Sequence, residues 1–499
     1  MTALLLAVDV GAQAARAGAF DDTGRLVARG EYPLDLIRPA AGEAVYRRDA
    51  VWHAVCAAIR ACLAGDGTLG MRVVGLGFAA TGGVVLDYTG APPLGGGGDV
   101  FSSMDQRAAG DAAEAHLRRL SWLKQHAPEA WARVTAVRDL VDEMALRATG
   151  NDRHGLAALA ARWPYRAGAA DPWQHERLAA AGLEEVWGMG ALAGDPVLPG
   201  QVQGLLLGDV AAYLGLPPGI PVGAGLLDSQ AGLLGTMGRN AKLRVGHSAA
   251  LIGGMAAPLL ALSTAAREIP GVGGPYAETV LPGLSLYEAH HDGGAALDLV
   301  LETHPGGPQD ANEAGHLAVA REVLALLDRE GAAFAADFHV VPEDIDLPAL
   351  MTGPRTGRSR RGFRETYYAV ARGLALRTRE TVAHLNAHGF AIERVTLAGG
   401  QARNPLMARL YRDALGCDLV ISAHPEPVLL GTAMAAAVAS GVFPSLPVAI
   451  DVMAPAQARL VADPYWRRVQ GAAYGIYRDL AAAREAAAAA GRALAAMGR

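Results

Sequence analysis

The sequence predicts an α/β protein built as two copies of one α/β unit with a cleft between them, and three observations carry that prediction. Near the N-terminus three short apolar runs follow one another, with a tight turn before the third, and lead into a helical stripe and a further apolar run. A similar order of elements returns in the second half. In both halves an apolar run ends in a Gly-rich turn, the place where ligands of open α/β sheets collect.

Taken in order, Leu4 to Asp9 reads as a short buried strand and Ala15 to Phe20 as a second. Asp21-Asp22-Thr23-Gly24 has the chemistry of a tight turn, and Leu26 to Tyr32 returns as a third strand. Arg48 to Leu63 places Trp52, Val55, Cys56 and Ile59 on one helical stripe. Val73 to Phe78 is a buried strand whose Gly75 and Gly77 permit close backbone approach, and Val84 to Asp87 is its short antiparallel partner. In the second half, Lys242 to Gly246 and Ala249 to Gly253 form a hairpin-like start. Tyr367 to Ala387 is a long amphipathic helix, and Arg394 to Leu397 is a strand ending in Ala398-Gly399-Gly400. Asn404 to Leu415 follows as a helix, Asp418 to Ile421 as a strand, and Val428 to Ala439 as a small-residue helix closed by Gly441. Pro464 to Met497 is mostly helix, with Tyr465, Trp466, Val469, Ala472, Ile476 and Leu480 turned toward the second domain. The boundary falls near residues 233–242, giving domains 1–238 and 239–499.

Composition narrows the function classes. The chain has 499 residues, 51% hydrophobic and 19% charged, which is ample for large cores and argues against disorder. A net charge of -6 without a basic stripe gives no footprint for nucleic acid. The three cysteines, Cys56, Cys62 and Cys417, form neither a pairable set nor a metal cluster and read as core filler in a reducing cytoplasm. Met1 to Val10 lacks a basic leader and reads as strand and turn, not as a signal peptide, and no run has membrane-helix character.

Several motifs occur in a telling order. They are Asp9-Val10-Gly11 with Arg16, Asp105-Gln106-Arg107-Ala108, and Leu226-Leu227-Asp228-Ser229-Gln230-Ala231-Gly232. Val280-Leu281-Pro282-Gly283 with Glu288, Gly399-Gly400 with Asn404-Pro405, and Pro427 to Ala433 complete the set. In order and spacing the chain resembles the FGGY carbohydrate kinases, and within them the ribulokinase-like members. The resemblance implies two ribonuclease-H-like domains of the actin/Hsp70 ATPase type with an interdomain cleft. It implies ATP-dependent phosphorylation of a small ketose or polyol, most similar to the handling of a pentulose such as ribulose, with Mg²⁺, a cytoplasmic setting and a possible homodimer.

The resemblance also implies roles for residues. Asp228 is the expected general base, accepting the hydroxyl proton of the sugar, against a local reading as a helix-capping Asp. Asp9 is the expected Mg²⁺ carboxylate, with Gly11 and Arg16 on the first phosphate loop; read locally, Asp9 caps a turn. Gly246-His247-Ser248 stands where the family prefers Gly-Thr-Ser on a second phosphate hairpin. Gly399, Gly400 and Asn404 are expected on the adenine and ribose side, with Asn404 opening a helix. Gly431 is either a contact behind the nucleotide or a helix-packing glycine. Asp105, Arg107 and Glu288 are expected to bind sugar, against a reading as surface charges. Trp163, Tyr165 and Trp173 either line the sugar side or fill a core.

The same comparison exposes departures. Ala12 and Ala14 replace phosphate-loop hydroxyls, Ala79 stands where related pentulose kinases carry Asp, and Ser103 replaces a Trp. A Gly-rich stretch is missing between Ala108 and Trp122, and the Phe-x-Gly-x-Arg-x-Pro run is absent between Phe338 and Gly357. There the chain has acidic Glu343 to Asp346 and Arg-rich Arg355 to Arg361, read as a solvated loop or as a basic loop facing phosphate. These departures support an alternative: a pseudokinase that binds nucleotide or sugar in a regulatory role.

Overall fold

The computed structural model describes residues 3–108, 114–189, 194–254, 256–290, 293–308, 311–334, 336, 338–341, 351–352 and 358–497. It divides into two compact units. One comprises Met1–Val245, Leu260–Glu288 and His424–Ala456; the other comprises Gly246–Leu259, Ala289–Ala423 and Gln457–Arg499.

In the first unit β1 (Leu4–Val10), β2 (Ala14–Phe20) and β3 (Leu26–Pro33) form an antiparallel meander. The turn before β3 forms because the Asp21 carboxylate accepts from the Thr23 amide and hydroxyl, while Gly24 takes a φ of 83°. Helix α1 (Arg48–Leu63) leads to β4 (Val73–Ala80), parallel to β1. Helices α2 (Leu140–Thr149) and α3 (Leu156–Arg162) precede β5 (Val202–Leu205), β6 (Pro221–Gly223) and β7 (Leu226–Leu227), and helix α4 (Asp228–Thr236) follows directly. The sheet order is β3-β2-β1-β4-β6-β5, with β7 beside the C-terminal end of β4.

Successive strand residues face opposite sides, so this sheet is covered twice. Val8, Val10 and Ala17 share a core with Val55, Ile59 and Cys62 of α1. On the other face lies the helix Pro427–Ala439. A Cβ on Gly77 would stand 3.0 Å from the Thr432 carbonyl oxygen, and one on Gly75 2.8 Å from the Ser440 side chain. The expected close approach at these glycines is therefore real, and a helix makes it. Val84–Tyr88 corrects an expectation: it does not pair with β4 but joins Val100–Phe101 and Val134–Asp139 in a separate four-stranded sheet. Gly82 and Gly83 release the chain there, and the Gly83 carbonyl accepts from Leu140 N–H.

The second unit contains β8 (Ser248–Gly253), α5 (Arg360–Ala387), β9 (Arg394–Gly399), α6 (Pro405–Ala414), β10 (Asp418–Ser422), β11 (Gln457–Leu460) and α7 (Pro464–Met497). Its strands run β8-β9-β10-β11, the first three parallel. The expected first hairpin arm at Lys242–Gly246 is instead a 3₁₀ turn over Ala241–Arg244, with Leu243 exposed. Left-handed Asn240 and Gly246 bracket it and break any strand. Helix α5 begins at Arg360, earlier than expected, because Ser359 caps it by accepting from Gly362 N–H. Arg360 and Arg361 are thus helical and paired with Glu322 and Glu330, not part of a phosphate loop. Residues 343–346 and 355–357 lie outside the described residues.

Helix α7 forms as expected, but its buried face is Trp466, Gln470, Ala473 and Tyr477, with Tyr465, Ala472 and Ile476 exposed. The expected stripe holds no polar residue, yet Gln470 is buried, with its amide nitrogen donating to the Tyr368 hydroxyl at 3.4 Å. Cys56 and Cys62 are buried thiols and Cys417 is half-buried; none forms a disulfide. Among the described residues no helix is long and apolar enough to cross a membrane.

Candidate active site

Strand register assembles a carboxylate site in the first unit. Asp9 lies opposite Arg16 across β1 and β2, and Arg16 lies opposite Glu31 across β2 and β3. Cross-strand partners face one another, so the Asp9 Oδ2 to Arg16 Nη1 distance is 3.3 Å and Arg16 Nε stands 3.8 Å from Glu31. On the other side Asp9 pairs with Ala79, and Ala79 pairs with Leu226. Leu227 ends β7, and Asp228 is the next residue. The carboxyl ends of three parallel strands therefore carry Asp9 and Asp228 on either side of β4.

Asp9 is buried, and among the described residues its Oδ1 has no hydrogen-bond partner. Burial raises its pKa to about 7; Arg16 opposes the shift, and the charges of Asp228 and Glu426 add to it. A buried, under-satisfied carboxylate beside a second carboxylate is a donor set that suits a hard divalent cation. Asp228 is half-buried at the first turn of α4, where its Oδ1 accepts from the Ser229 amide at 2.7 Å. Leu227 is the cap residue, so Asp228 lies inside the helix rather than capping it. Gly11 closes the β1–β2 turn by donating to the Ala14 carbonyl at 3.0 Å.

Backbone contact holds α4 in place. A Cβ on Gly431 would lie 1.8 Å from the Ala231 carbonyl oxygen, and one on Gly235 2.0 Å from that of Pro427. Gly431 is a helix-packing glycine.

The expected sugar-side residues form two ion pairs, and Arg119 interacts with Asp105 of one and Arg162 of the other. Asp105 and Arg107 form a buried pair at 2.7 Å, not a solvated one. Asp105 also accepts from Ala44 N–H, and Arg107 also faces Glu43 and lies over the Phe101 and Trp122 rings. Glu288 is buried as well, 3.7 Å from Arg162 Nη1. Arg162 belongs to no motif of the sequence. Its only signal is a lone cation ending the apolar run Ala157 to Ala161. Gly82 makes room for it, since a Cβ there would stand 3.0 Å from Arg162 Nε. Arg119 donates to the Ser103 carbonyl at 3.2 Å. Burial lowers its pKa to about 10, with Asp105 opposing and Arg162, Arg118 and Arg107 adding. Trp163 and Trp173 belong to a core cluster with Tyr165 packed against it, and Trp163 donates to Asp139.

Asp139, Asp142 and His154 form a buried group of metal-type donors. Their carboxylate oxygens already serve His116, Trp163, Gly155 N–H and His154, which marks a structural network.

In the second unit the motif residues are held by backbone geometry. Gly246 has a φ of 78° and its carbonyl accepts from Ala391 N–H, while exposed His247 accepts from Glu393 N–H through its carbonyl. Ser248 opens β8 opposite Arg394. Gly399 has a φ of 81°, and a Cβ on it would strike the Gly253 carbonyl oxygen at 2.4 Å. Gly400 begins the short helix Gly400–Arg403, and Asn404 caps α6 by accepting from Leu406 and Met407 N–H.

Comparison with known proteins decides what this arrangement belongs to. Residues 4–116 match the N-terminal domain of the FGGY family of carbohydrate kinases, and residues 251–440 match its C-terminal domain. The chain belongs to the FGGY family of carbohydrate kinases. It is 28% identical to an FGGY carbohydrate kinase domain-containing protein of Homo sapiens, covering 89% of this chain and 90% of that one. It is 25% identical to a D-ribulokinase of Saccharomyces cerevisiae, covering 87% and 72%. A xylulose kinase structure from Rhodospirillum rubrum superposes with a TM-score of 0.76 at 20% identity, covering 96% of this chain and 98% of that one. As an FGGY kinase the chain is a phosphotransferase acting on a sugar hydroxyl, with the two-domain actin/Hsp70-like fold.

Proposed function

We propose that this kinase moves the γ-phosphoryl group of ATP onto a hydroxyl of a small ketose or polyol of the pentulose class, such as ribulose. The observation that carries the reading is the placement of buried Asp9 and half-buried Asp228 at the carboxyl ends of the two strands flanking β4, with Asp9 Oδ1 lacking a partner among the described residues. The pentulose class is supported by the likeness to the yeast D-ribulokinase.

In this reading Asp228 accepts the proton of the attacking hydroxyl, the oxygen forms its bond to the γ-phosphorus, and ADP leaves. Asp9 would hold Mg²⁺, whose chemistry is to neutralise charge on the β- and γ-phosphates. Gly11 and Arg16 support the first phosphate loop. Gly246, His247 and Ser248 contact phosphate, and Gly399 and Gly400 shape the nucleotide side, where Asn404 acts by capping the adjoining helix. Glu288 and Arg162 offer an acceptor and a donor to sugar hydroxyls, while Asp105 and Arg107 brace that wall. The domain division at 238/239, a cytoplasmic setting and a homodimer belong to the same proposal.

Ala12 and Ala14 favour a second reading, a pseudokinase that binds nucleotide or sugar without turnover. Each lost hydroxyl contact costs about 1–2 kcal/mol, roughly tenfold in rate. One assay separates the two: ADP release from Mg·ATP with D-ribulose, L-ribulose, D-xylulose, ribitol and glycerol, a no-sugar blank, and Asp228→Ala. Sugar-dependent turnover that disappears in Asp228→Ala is the expected result. Nucleotide binding without turnover for any sugar would leave the pseudokinase.

A further inference from the structure

Asp228 follows a strand of only two residues, Leu226 and Leu227, each with one ladder partner in β4. So short a ladder leaves the placement of the base to other contacts. Just before it, Gly225 N–H donates to Gln203 Oε1 at 3.1 Å, and Ala224 N–H donates to the Gln201 carbonyl at 2.9 Å. Gln203 is itself held from the other end of its amide. Its Nε2 donates to the Arg153 carbonyl at 2.7 Å and reaches Asp142 Oδ1 at 3.4 Å.

Asp142 is the anchor of this clamp. Its Oδ1 accepts from Gly155 N–H at 2.9 Å and its Oδ2 lies 3.0 Å from His154 Nδ1. Gln203, Asp142 and His154 are each at most 3% exposed. The packing leaves no slack: a Cβ on Gly155 would stand 2.9 Å from the Gly225 carbonyl oxygen, and one on Gly225 2.6 Å from Val141.

We propose that Gln203, anchored on Asp142 and His154, is a positioning residue that fixes the segment carrying Asp228; the proposal rests on Asp228 being the base. The site requires an amide for a chemical reason. One end must accept from Gly225 N–H while the other donates to a carbonyl and a carboxylate, which neither a carboxylate nor an apolar side chain can do. A base misplaced by about 1 Å costs on the order of 100-fold in rate, whereas substrate contacts made elsewhere are untouched.

The test uses the full chain with Gln203→Met, which keeps length and loses the amide, and Gln203→Glu, which keeps the acceptor and loses the donor. Both are expected to lower kcat at least tenfold with KM for ATP and sugar within twofold. Hydrogen exchange is expected to quicken over residues 222–230 and to stay unchanged elsewhere. If neither variant folds, Gln203→Asn, which shortens the amide's reach by one methylene, takes their place with the same expected result. A kcat within twofold of the unmodified protein, or exchange that quickens throughout the first unit, overturns the proposal. Absence of turnover in the unmodified protein would sink the kinase reading instead. Exchange over 222–230 then decides the clamp alone, and no change there in either variant refutes it.

Discussion

Asp9 and Asn404 are both buried polar residues beside a glycine-bearing turn, one in each unit, and their polar atoms are used differently. Asp9 keeps one carboxylate oxygen without a partner, and its proton affinity is raised by burial. Asn404 accepts from two helix amides with its oxygen, and its nitrogen reaches the Tyr367 hydroxyl at 3.4 Å. Binding a charged ligand needs donor or acceptor capacity that folding has not already taken. The first unit holds such capacity in side chains. The second offers backbone, at Gly246 and Gly399, whose positive φ disfavours a side chain, and at Gly399 a Cβ would also strike the Gly253 carbonyl oxygen.

The largest effect that would sharpen this contrast concerns the frames themselves. Gly431→Ala forces a methyl to 1.8 Å from the Ala231 carbonyl oxygen, and backbone cannot step aside. A loss of more than about 3 kcal/mol in unfolding free energy, or failure to fold, is expected. Gly246→Ala meets nothing within 4 Å and only strains a φ of 78°, so about 1–2 kcal/mol is expected. Denaturant titration of both compares them, and equal losses would break the contrast.

Asp9 provides the next test. Its pKa is raised from 3.8 to about 7, so between those values the folded chain binds more protons than the unfolded one. The contribution of Asp9 to stability therefore falls as pH rises through that window and stays flat above it. Asp9→Asn is expected to raise the melting temperature of the metal-free protein at pH 8, with the gain vanishing below about pH 4. The same variant is expected to lose Mg²⁺-dependent turnover. A gain that is independent of pH would mean that Asp9 carries no unusual proton.

The smallest effect belongs to Asn404. Removing an N-cap costs about 1 kcal/mol, so Asn404→Ala should lower stability by that order and leave the KM for ATP within about twofold. A tenfold rise in KM with unchanged stability would make Asn404 a nucleotide contact and erase the distinction between the two units.

The strands and helices were legible where pattern and packing agree. The β1–β2–β3 meander, β4 and the C-terminal helix all appear where alternation and helical spacing put them. Two of the errors share a cause, which is that partners distant in sequence reassign a residue, whereas those at Lys242–Gly246 and at the start of α5 arise from local backbone and capping. Val84–Tyr88 pairs with strands whose first residues are Val100 and Val134, and Gln470 is buried against Tyr368, whose hydroxyl accepts from its amide. At the candidate site the order of motifs pointed to Asp9, Asp228 and Glu288. Arg162 and Gln203 stayed hidden because a lone Arg and a lone Gln have no signature until the fold shows what faces them.

By itself the sequence determined the family, the α/β class and the residue types that bear the chemistry, because these follow from local periodicity, turn residues and motif order. Tertiary structure alone decided which polar atoms remain available. It paired Asp105 with Arg107, made Asn404 a cap and left Asp9 Oδ1 without a partner among the described residues. The physical reason is that the satisfaction of a hydrogen-bonding group depends on atoms brought near by folding, and chain order does not record them.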